Sequence, residues 1–312
     1  MNPYLKTSLK DRKPTLLVHQ SISDLYQALN LPIEQELEFT IHFLPEIHTH
    51  IPFQSPVFRA EYFSFVFIKS GKGQYTIDDQ QFSFEDRTVY FTNPGHIKSF
   101  DIERSDDAYI ITLTETFLRE NVNPQIFDEF PFLLAEIVPP MILGEKEYDE
   151  LENLYQQINL EFRKDSPYKN KILGNLFVVL LLKIKEQFWH AYDPIEEGDR
   201  ISQIVKSFKQ KLEQQFKDQL SNNSHTLFQV QNYARELNLH PNYLSTVIKS
   251  KTGKSVNQWI NDKQVSTART LLKTTSLTVK EISYQLGFSE PTHFNRFFKK
   301  HTGMTPGDFK SS

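Results

Sequence analysis

One segment of this 312-residue chain is written twice. Thr278 to Pro306 reads TVKEISYQLGFSEPTHFNRFFKKHTGMTP, and Thr226 to Trp259 echoes it. Val230, Ala234 and Leu237 match Val279, Ser283 and Leu286 at an offset of 49. After a one-residue difference the offset becomes 50: Pro241, Leu244, Ile248, Lys249 and Gly253 match Pro291, Phe294, Phe298, Lys299 and Gly303, and Trp259 matches Phe309. A duplication of this length requires two similar small modules side by side in the C-terminal part of the chain.

Each copy reads as helix, tight turn, helix. Thr278 with Glu281, and Thr226 with Gln229, form capping boxes that start the first helix of each pair. Val279, Ile282 and Leu286 fall at helical spacing. Gly287 stops that helix, since a helix end favours a residue tolerating positive φ. Pro291 belongs in the first turn of the next one. That second helix sends Phe294, Phe297 and Phe298 inward and shows Thr292, His293, Asn295, Arg296, Lys299 and Lys300 outward. A short helix pair whose second member is basic outside fits a DNA-binding helix-turn-helix. Between the copies, Ser255 to Lys273 reads as one amphipathic helix of ~28 Å. Successive major grooves on one side of DNA lie ~34 Å apart, so a rigid linker of that size suits two reading helices.

The pattern GFSEPTHFNRFFKKHTGMTP resembles the C-terminal signature of the AraC/XylS transcription regulators, and the resemblance extends from Thr226 to Lys310. It implies two helix-turn-helix units joined by a linker helix, a transcriptional role, double-stranded promoter DNA and RNA polymerase as partners, and a cytoplasmic location. It also implies base contact at Asn242, Ser245, Thr246, Thr292, His293 and Arg296, though His293 can equally be a surface side chain that touches only phosphate. Lys249, Lys299 and Lys300 fall near phosphate, where Lys supplies sequence-independent affinity. The arginine of the family's second module is matched by Arg296, a donor suited to guanine. Thr246 departs from the pattern, standing where many relatives carry a long basic side chain.

Charge supports that division of labour. Residues 226–312 hold 12 Lys and Arg against 5 Asp and Glu, a net of +7. Residues 1–225 hold 23 against 34, a net of −11. Only the tail is built to meet phosphate. The chain has no cysteine, so disulfides, thiolate metal sites and cysteine nucleophiles are excluded. The run Leu176 to Leu182 is too short to span a bilayer, and MNPYLKTSLKDRKPTLL lacks the apolar core of a signal peptide.

From Glu38 to Thr114 the pattern is β. The predicted strands are 38–44, 61–69, 74–77, 81–84, 88–92 and 108–114, divided by turn signals that include Gly71-Lys72-Gly73 and Asn93-Pro94-Gly95. Close-spaced short strands indicate a small barrel or jelly roll. This layout resembles the cupin-like sensor domain at the N-terminus of many AraC-type regulators. A barrel of this size can hold one small molecule, and Tyr62, Phe65, Tyr75 and Tyr90 are the aromatic residues placed to line it. Each of them can equally be core. His42, His48, His50 and His96 invite a metal reading, but Glu61 stands too far from the His48-Thr49-His50 pair, so no metal or other cofactor is expected.

From Glu115 the pattern turns helical, with helix-length periodicity over 145–163, 168–190 and 199–220. Leu173 to Trp189 is apolar nearly all round and is expected to be buried. Residues 145–190 are the homodimerisation candidate, or else pack only on their own barrel. Asp193-Pro194 and Glu196-Glu197-Gly198 mark a hinge.

The expected fold is α+β. Residues 1–195 form a cupin-like sensor and dimerisation domain, and residues 196–312 an all-α DNA-binding domain. The expected function is sequence-specific transcription regulation modulated by a small molecule in the barrel. One alternative keeps the DNA binding and makes the N-terminal domain a protein-interaction module. A further one is an enzyme with a DNA-targeting tail, for which the sequence offers no nucleophile–base pairing or phosphate loop.

Overall fold

A computed structural model describes residues 16–32, 37–78, 80–123, 126–134, 138–188, 200–222 and 228–311. The expected hinge at 193–198 and the cap at Thr226 lie outside the described residues. In chain order the elements are β1 (Leu17–His19), α1 (Ile22–Leu29), β2 (Phe39–Phe43), α2 (Leu44–Ile47), β3 (Phe53–Gln54), β4 (Phe58–Ala60), β5 (Phe63–Ile77), β6 (Gln80–Phe84), β7 (Thr88–Thr92), β8 (Ile97–Leu113), α3 (Glu115–Phe117), α4 (Ile126–Glu129), β9 (Met141–Ile142), α5 (Glu145–Phe162), α6 (Lys169–Phe188), α7 (Arg200–Asn222), α8 (Val230–Glu236), α9 (Pro241–Thr252), α10 (Val256–Thr274), α11 (Val279–Gln285), α12 (Pro291–Thr302) and α13 (Pro306–Ser311). The architecture is α+β, a sheet-rich part followed by helices. The chain divides into two compact units.

The first unit is built on two long antiparallel strands, β5 and β8, paired from Phe63↔Leu113 to Ile77↔Lys98. β7 and β6 pair successive halves of β5, while β2, β3 and β4 pair along β8. Because side chains alternate across a strand, β5 buries both faces. Val66 and Ile68 join an apolar cluster with Tyr90 and Ile102 on the inner face. Phe65 and Phe67 point the other way, where their rings lie 5.1 Å from Phe177 on α6 and 4.9 Å from Tyr155 on α5. That two-sided burial is why alternation is illegible in this part of the sequence.

Two expectations about the strands are corrected. Gly71-Lys72-Gly73 is not a turn between strands but lies inside β5, where the register shifts between Ser70 and Gly71 and again between Lys72 and Gly73. A Cβ on Gly73 would sit 2.2 Å from the Asp101 carbonyl oxygen, so the glycine serves close strand approach at a bulge. The last strand starts at Ile97 instead of Ala108. Its polar middle is carried by ion pairs, Lys72–Glu103 across to β5 at 2.9 Å and Arg104 to Asp86 of the β6–β7 turn at 2.6 Å. The segment before residue 37 holds α1 and also contributes β1, which pairs in parallel with β4.

Helix α6 is not buried all round. Leu173, Phe177, Leu180, Leu181 and Ile184 face inward, whereas Ile172, Val179 and Leu182 are exposed. The residues at 3–4 spacing simply outnumber what one sheet face can cover.

The second unit holds α7 to α13 and the stretch 126–134. That stretch, which the sequence places within the first domain, buries Ile126, Phe127, Phe130, Phe132 and Leu133. The repeat is realised element by element: α8 and α11 have 7 residues each, α9 and α12 have 12 each. Ile204, Phe208, Leu212 and Phe216 of α7 pack with Tyr233, Leu244 and Ile248 in the first module. Linker helix α10 serves both cores. Its start gives Val256 and Ile260 to the first, and its end gives Ala268, Leu271 and Leu272 to the second, against Ile282, Phe294 and Phe298. Burying each such large side chain contributes about 1.5–3 kcal/mol, so the linker cannot swivel without losing core.

Candidate nucleic-acid interface

The second helix of each module is fixed in roll by what it buries. In α9 those residues are Leu244, Val247 and Ile248, and in α12 they are Phe294 and Phe298. Both helices begin with a proline at the first position, Pro241 and Pro291, and their C-terminal glycines Gly253 and Gly303 adopt φ of 77° and 76°. Before them, the tight turn places Asn238 at φ 54° and Gly287 at φ 81°. Asn is the non-glycine residue that tolerates this region best, so the first copy makes with Asn238 the turn that the second makes with glycine. The capping box of α11 is present, with Thr278 N–H donating to Glu281 Oε2 at 2.7 Å and Glu281 N–H to Thr278 Oγ1 at 3.2 Å. Its counterpart in α8 is made by Gln229 and Asn232.

The sequence-predicted contact residues come to the outer faces. Asn242, Thr246 and Lys249 are exposed and Ser245 is half-buried on α9, and Thr292, His293, Arg296, Lys299 and Lys300 are exposed on α12. Thr246 donates its hydroxyl to the Asn242 carbonyl at 2.9 Å, which leaves oxygen lone pairs as its outward chemistry. Phe297, expected inward, is half-buried and lies between the tilted rings of Phe288 and His301. One outward residue escaped sequence reasoning. Tyr243 is 43% exposed at the place His293 occupies in the second copy. An aromatic in an apolar helix reads as core until the helix roll is known; the 50-residue offset to His293 was the available signal.

Some of the unit's cations are paired and others are not. Lys211 pairs with Glu236 at 2.9 Å, Lys254 with Asp262 at 3.0 Å, and Lys263 with Glu213. Lys249, Arg296, Lys299 and Lys300 make no ion pair among the described residues. The outer faces of α9 and α12 thus carry unneutralised positive charge, for which an anionic polymer is the natural counter-charge.

In the first unit the inner face of the sheet encloses a cavity with an empty volume of ≈ 1060 Å³, its open mouth included. Of the four aromatics placed in a pocket from sequence, Tyr62 and Tyr90 line it. Phe65 does not, because it stands on the helix side of the sheet, stacked on Phe91. Tyr75 lies behind Tyr90, with ring centroids 4.1 Å apart and planes 9° from parallel. The wall also takes His19 and Tyr26, which lie ahead of the predicted strands, and His42 from the predicted strand 38–44. Burial pushes the imidazoles of His19 and His42 below their ordinary range, and His48 down to about 4. His50 is exposed, and His96 meets Asp78 Oδ2 at 2.9 Å. No group of three or more metal-ligating side chains occurs among the described residues.

Residues 233–312 match the family described as a helix-turn-helix domain. The C-terminal part of this chain is an AraC-type helix-turn-helix domain. An uncharacterised HTH-type transcriptional regulator of Bacillus subtilis, YfiF, is 20% identical over 89% of this chain and 85% of its own length. The arabinose operon regulatory protein of Escherichia coli is 27% identical over 51% of this chain and 50% of its own. The transcriptional activator RhaR of Salmonella arizonae is 22% identical over 80% of this chain and 85% of its own. The AraC-type domain coincides with the repeat and with the unpaired basic faces. Its match begins at Tyr233, so α7, which shares a core with α8 and α9, lies ahead of the matched residues.

Proposed function

We propose that the chain is a sequence-specific DNA-binding transcription regulator that inserts α9 and α12 in successive major grooves. Asn242, Ser245, Thr246, Thr292, His293 and Arg296 face base edges, with Lys249, Lys299 and Lys300 on flanking phosphates. The observation that carries this is the pair of equivalent helices with unpaired cations, both rooted in one linker helix. Selection of DNA from a random pool with the full chain tests it. The expected outcome is a site of two unlike half-sites about 10 bp apart, one per module. Enrichment of a single half-site, or of none, overturns it.

The same reading makes residues 1–195 a sensing and dimerisation domain of cupin-like type and 196–312 the reader, with 126–134 joining the reader. The cavity supports a small-molecule effector, whose binding would shift the population of DNA-competent states. The exposed stripe Ile172, Val179 and Leu182 supports contact with a second copy through residues 145–190. RNA polymerase is the partner such a promoter-bound regulator acts on. A cytoplasmic location belongs to this reading, and no described helix is long and apolar enough to cross a membrane.

A further inference from the structure

The cavity of the first unit has a chemical character that narrows what it can hold, given the effector reading on which this inference rests. Half of its lining residues are Leu, Ile, Val or Phe; the polar ones include Ser55, Ser64, Ser105 and Thr112 and two tyrosine–histidine couples. Tyr62 Oη lies 3.4 Å from His19 Nδ1, and Tyr26 Oη lies 2.6 Å from His42 Nε2. His19 and Tyr26 are buried to 5% and 6% exposure, and Tyr62 to 2%. The second ring nitrogens, His19 Nε2 and His42 Nδ1, make no hydrogen bond among the described residues. Tyr26 is also hydrogen-bonded to the Thr40 side chain, so in each couple it is the second imidazole nitrogen, a donor or an acceptor according to tautomer, that is left for a guest.

Full charge is scarce on the same wall. Among the described residues Arg104 is the one Lys, Arg, Asp or Glu side chain lining the cavity, and its guanidinium is engaged by Asp86 at 2.6 Å and by Asp106. Lys98 is buried nearby, but its ammonium is hydrogen-bonded to Thr92 Oγ1 at 2.6 Å, has Glu61 and Asp78 as charge neighbours, and is not part of the wall. Burial keeps the imidazoles of His19, His42 and His48 uncharged at neutral pH. A carboxylate or ammonium entering here would lose its hydration without meeting a counter-charge. A sugar would leave most of its hydroxyls against Leu, Ile and Phe.

We propose that the cavity takes a neutral, largely apolar molecule of fused-ring or comparable bulk, carrying one or two hydroxyl or carbonyl groups that the His19–Tyr62 and His42–Tyr26 couples recognise. The aromatic and aliphatic wall supplies the affinity; the two couples supply orientation and discrimination against plain hydrocarbon.

The test is equilibrium dialysis of the full chain at pH 7.5 against 2-naphthol, naphthalene, 2-naphthoate and glucose. We expect 2-naphthol to bind about ten-fold tighter than either naphthalene or 2-naphthoate, one good hydrogen bond or one uncompensated charge being worth that factor. Glucose should not bind. In the double variant His19→Leu, His42→Phe, and separately in Tyr26→Phe, the advantage of 2-naphthol over naphthalene should shrink while naphthalene affinity holds, which also shows that the cavity has kept its shape. Tighter binding of 2-naphthoate or glucose, or a 2-naphthol advantage unchanged in these variants, overturns the ligand class. Failure of all four probes to bind overturns the effector reading itself.

Discussion

Gln264, midway along the linker helix, donates from Nε2 to the backbone carbonyl of Leu286 at 3.1 Å, deep inside the second unit. Leu286 ends the first helix of the second module, so this bond ties the linker to the turn that aims α12. A parallel chain runs along α7: Tyr233 Oη donates to Gln215 Oε1 at 3.1 Å, Gln215 Nε2 to Gln219 Oε1 at 3.1 Å, and Gln219 Nε2 to the Gln285 carbonyl at 3.0 Å. The path starts in the first module and ends in the second. Buried amides satisfied at both ends hold one geometry, because any slip leaves a polar group unpaired.

Replacing Gln264 by Leu therefore removes the donor and strands a buried carbonyl. The expected loss is about 1–3 kcal/mol of stability of the second unit, read as a lower urea midpoint for the full chain. A midpoint identical to the parent sinks the claim that this bond fixes the module.

On α12, Arg296 and Lys299 should behave differently. Arg296→Ala should cost about 1–3 kcal/mol of affinity for the selected site and relax the preference at one base pair. Lys299→Ala should weaken selected and scrambled DNA alike, and lower the slope of log affinity against log salt by about 1. Anisotropy titrations over a salt series distinguish the two; identical behaviour of both variants contradicts the assignment.

His48 stacks on Phe53 at 4.3 Å, and burial holds its pKa at about 4, below the ordinary 6.5. A base depressed in the native state is neutral in both states above pH 6.5, so nothing is lost there. Between pH 6.5 and 4 the unfolded chain takes up a proton that the native one refuses, and stability falls by up to roughly 3 kcal/mol. His48→Phe should flatten that part of the curve. Urea melts of parent and variant at pH 7.5, 5.5 and 4.5 measure the difference, and parallel curves would falsify the assignment.

Val179 and Leu182 stand 43% and 45% exposed on one side of α6. Val179→Asp with Leu182→Asp should convert a dimer to a monomer without unfolding the chain, since neither side chain faces the inner core. Light scattering after gel filtration reads the mass, and a dimer that survives the double change places the contact elsewhere.

Much of the second unit was legible in the sequence. A repeat with conserved spacing between its own copies, cap residues and prolines at helix starts are local signals, and helices are made by local interactions. They located α9, α10, α11 and α12 and put Arg296, Lys299 and Lys300 on an outer face. Local signals could not tell that Tyr243 points outward, because helix roll depends on what α7 brings to the other side. Nor could they show that Gln215, Gln219 and Gln264 are partners: glutamine in a polar helix reads as surface.

For the sheet the balance is reversed. The sequence by itself determined that most of the strands between residues 38 and 114 would form, through their β-branched and aromatic content, and that the C-terminal third would be paired basic helix modules. Only the tertiary structure decided which face of β5 meets the cavity. Phe65 and Val66 are neighbours of similar apolarity, and pleat direction is settled by the helices that cover one side, not by the residues themselves. The same holds for Gly73, whose missing side chain reads as a turn until β8 is seen passing against it. And it holds for His19 and His42, 23 positions apart in the chain, which form one cavity wall because a curled sheet joins what sequence separates.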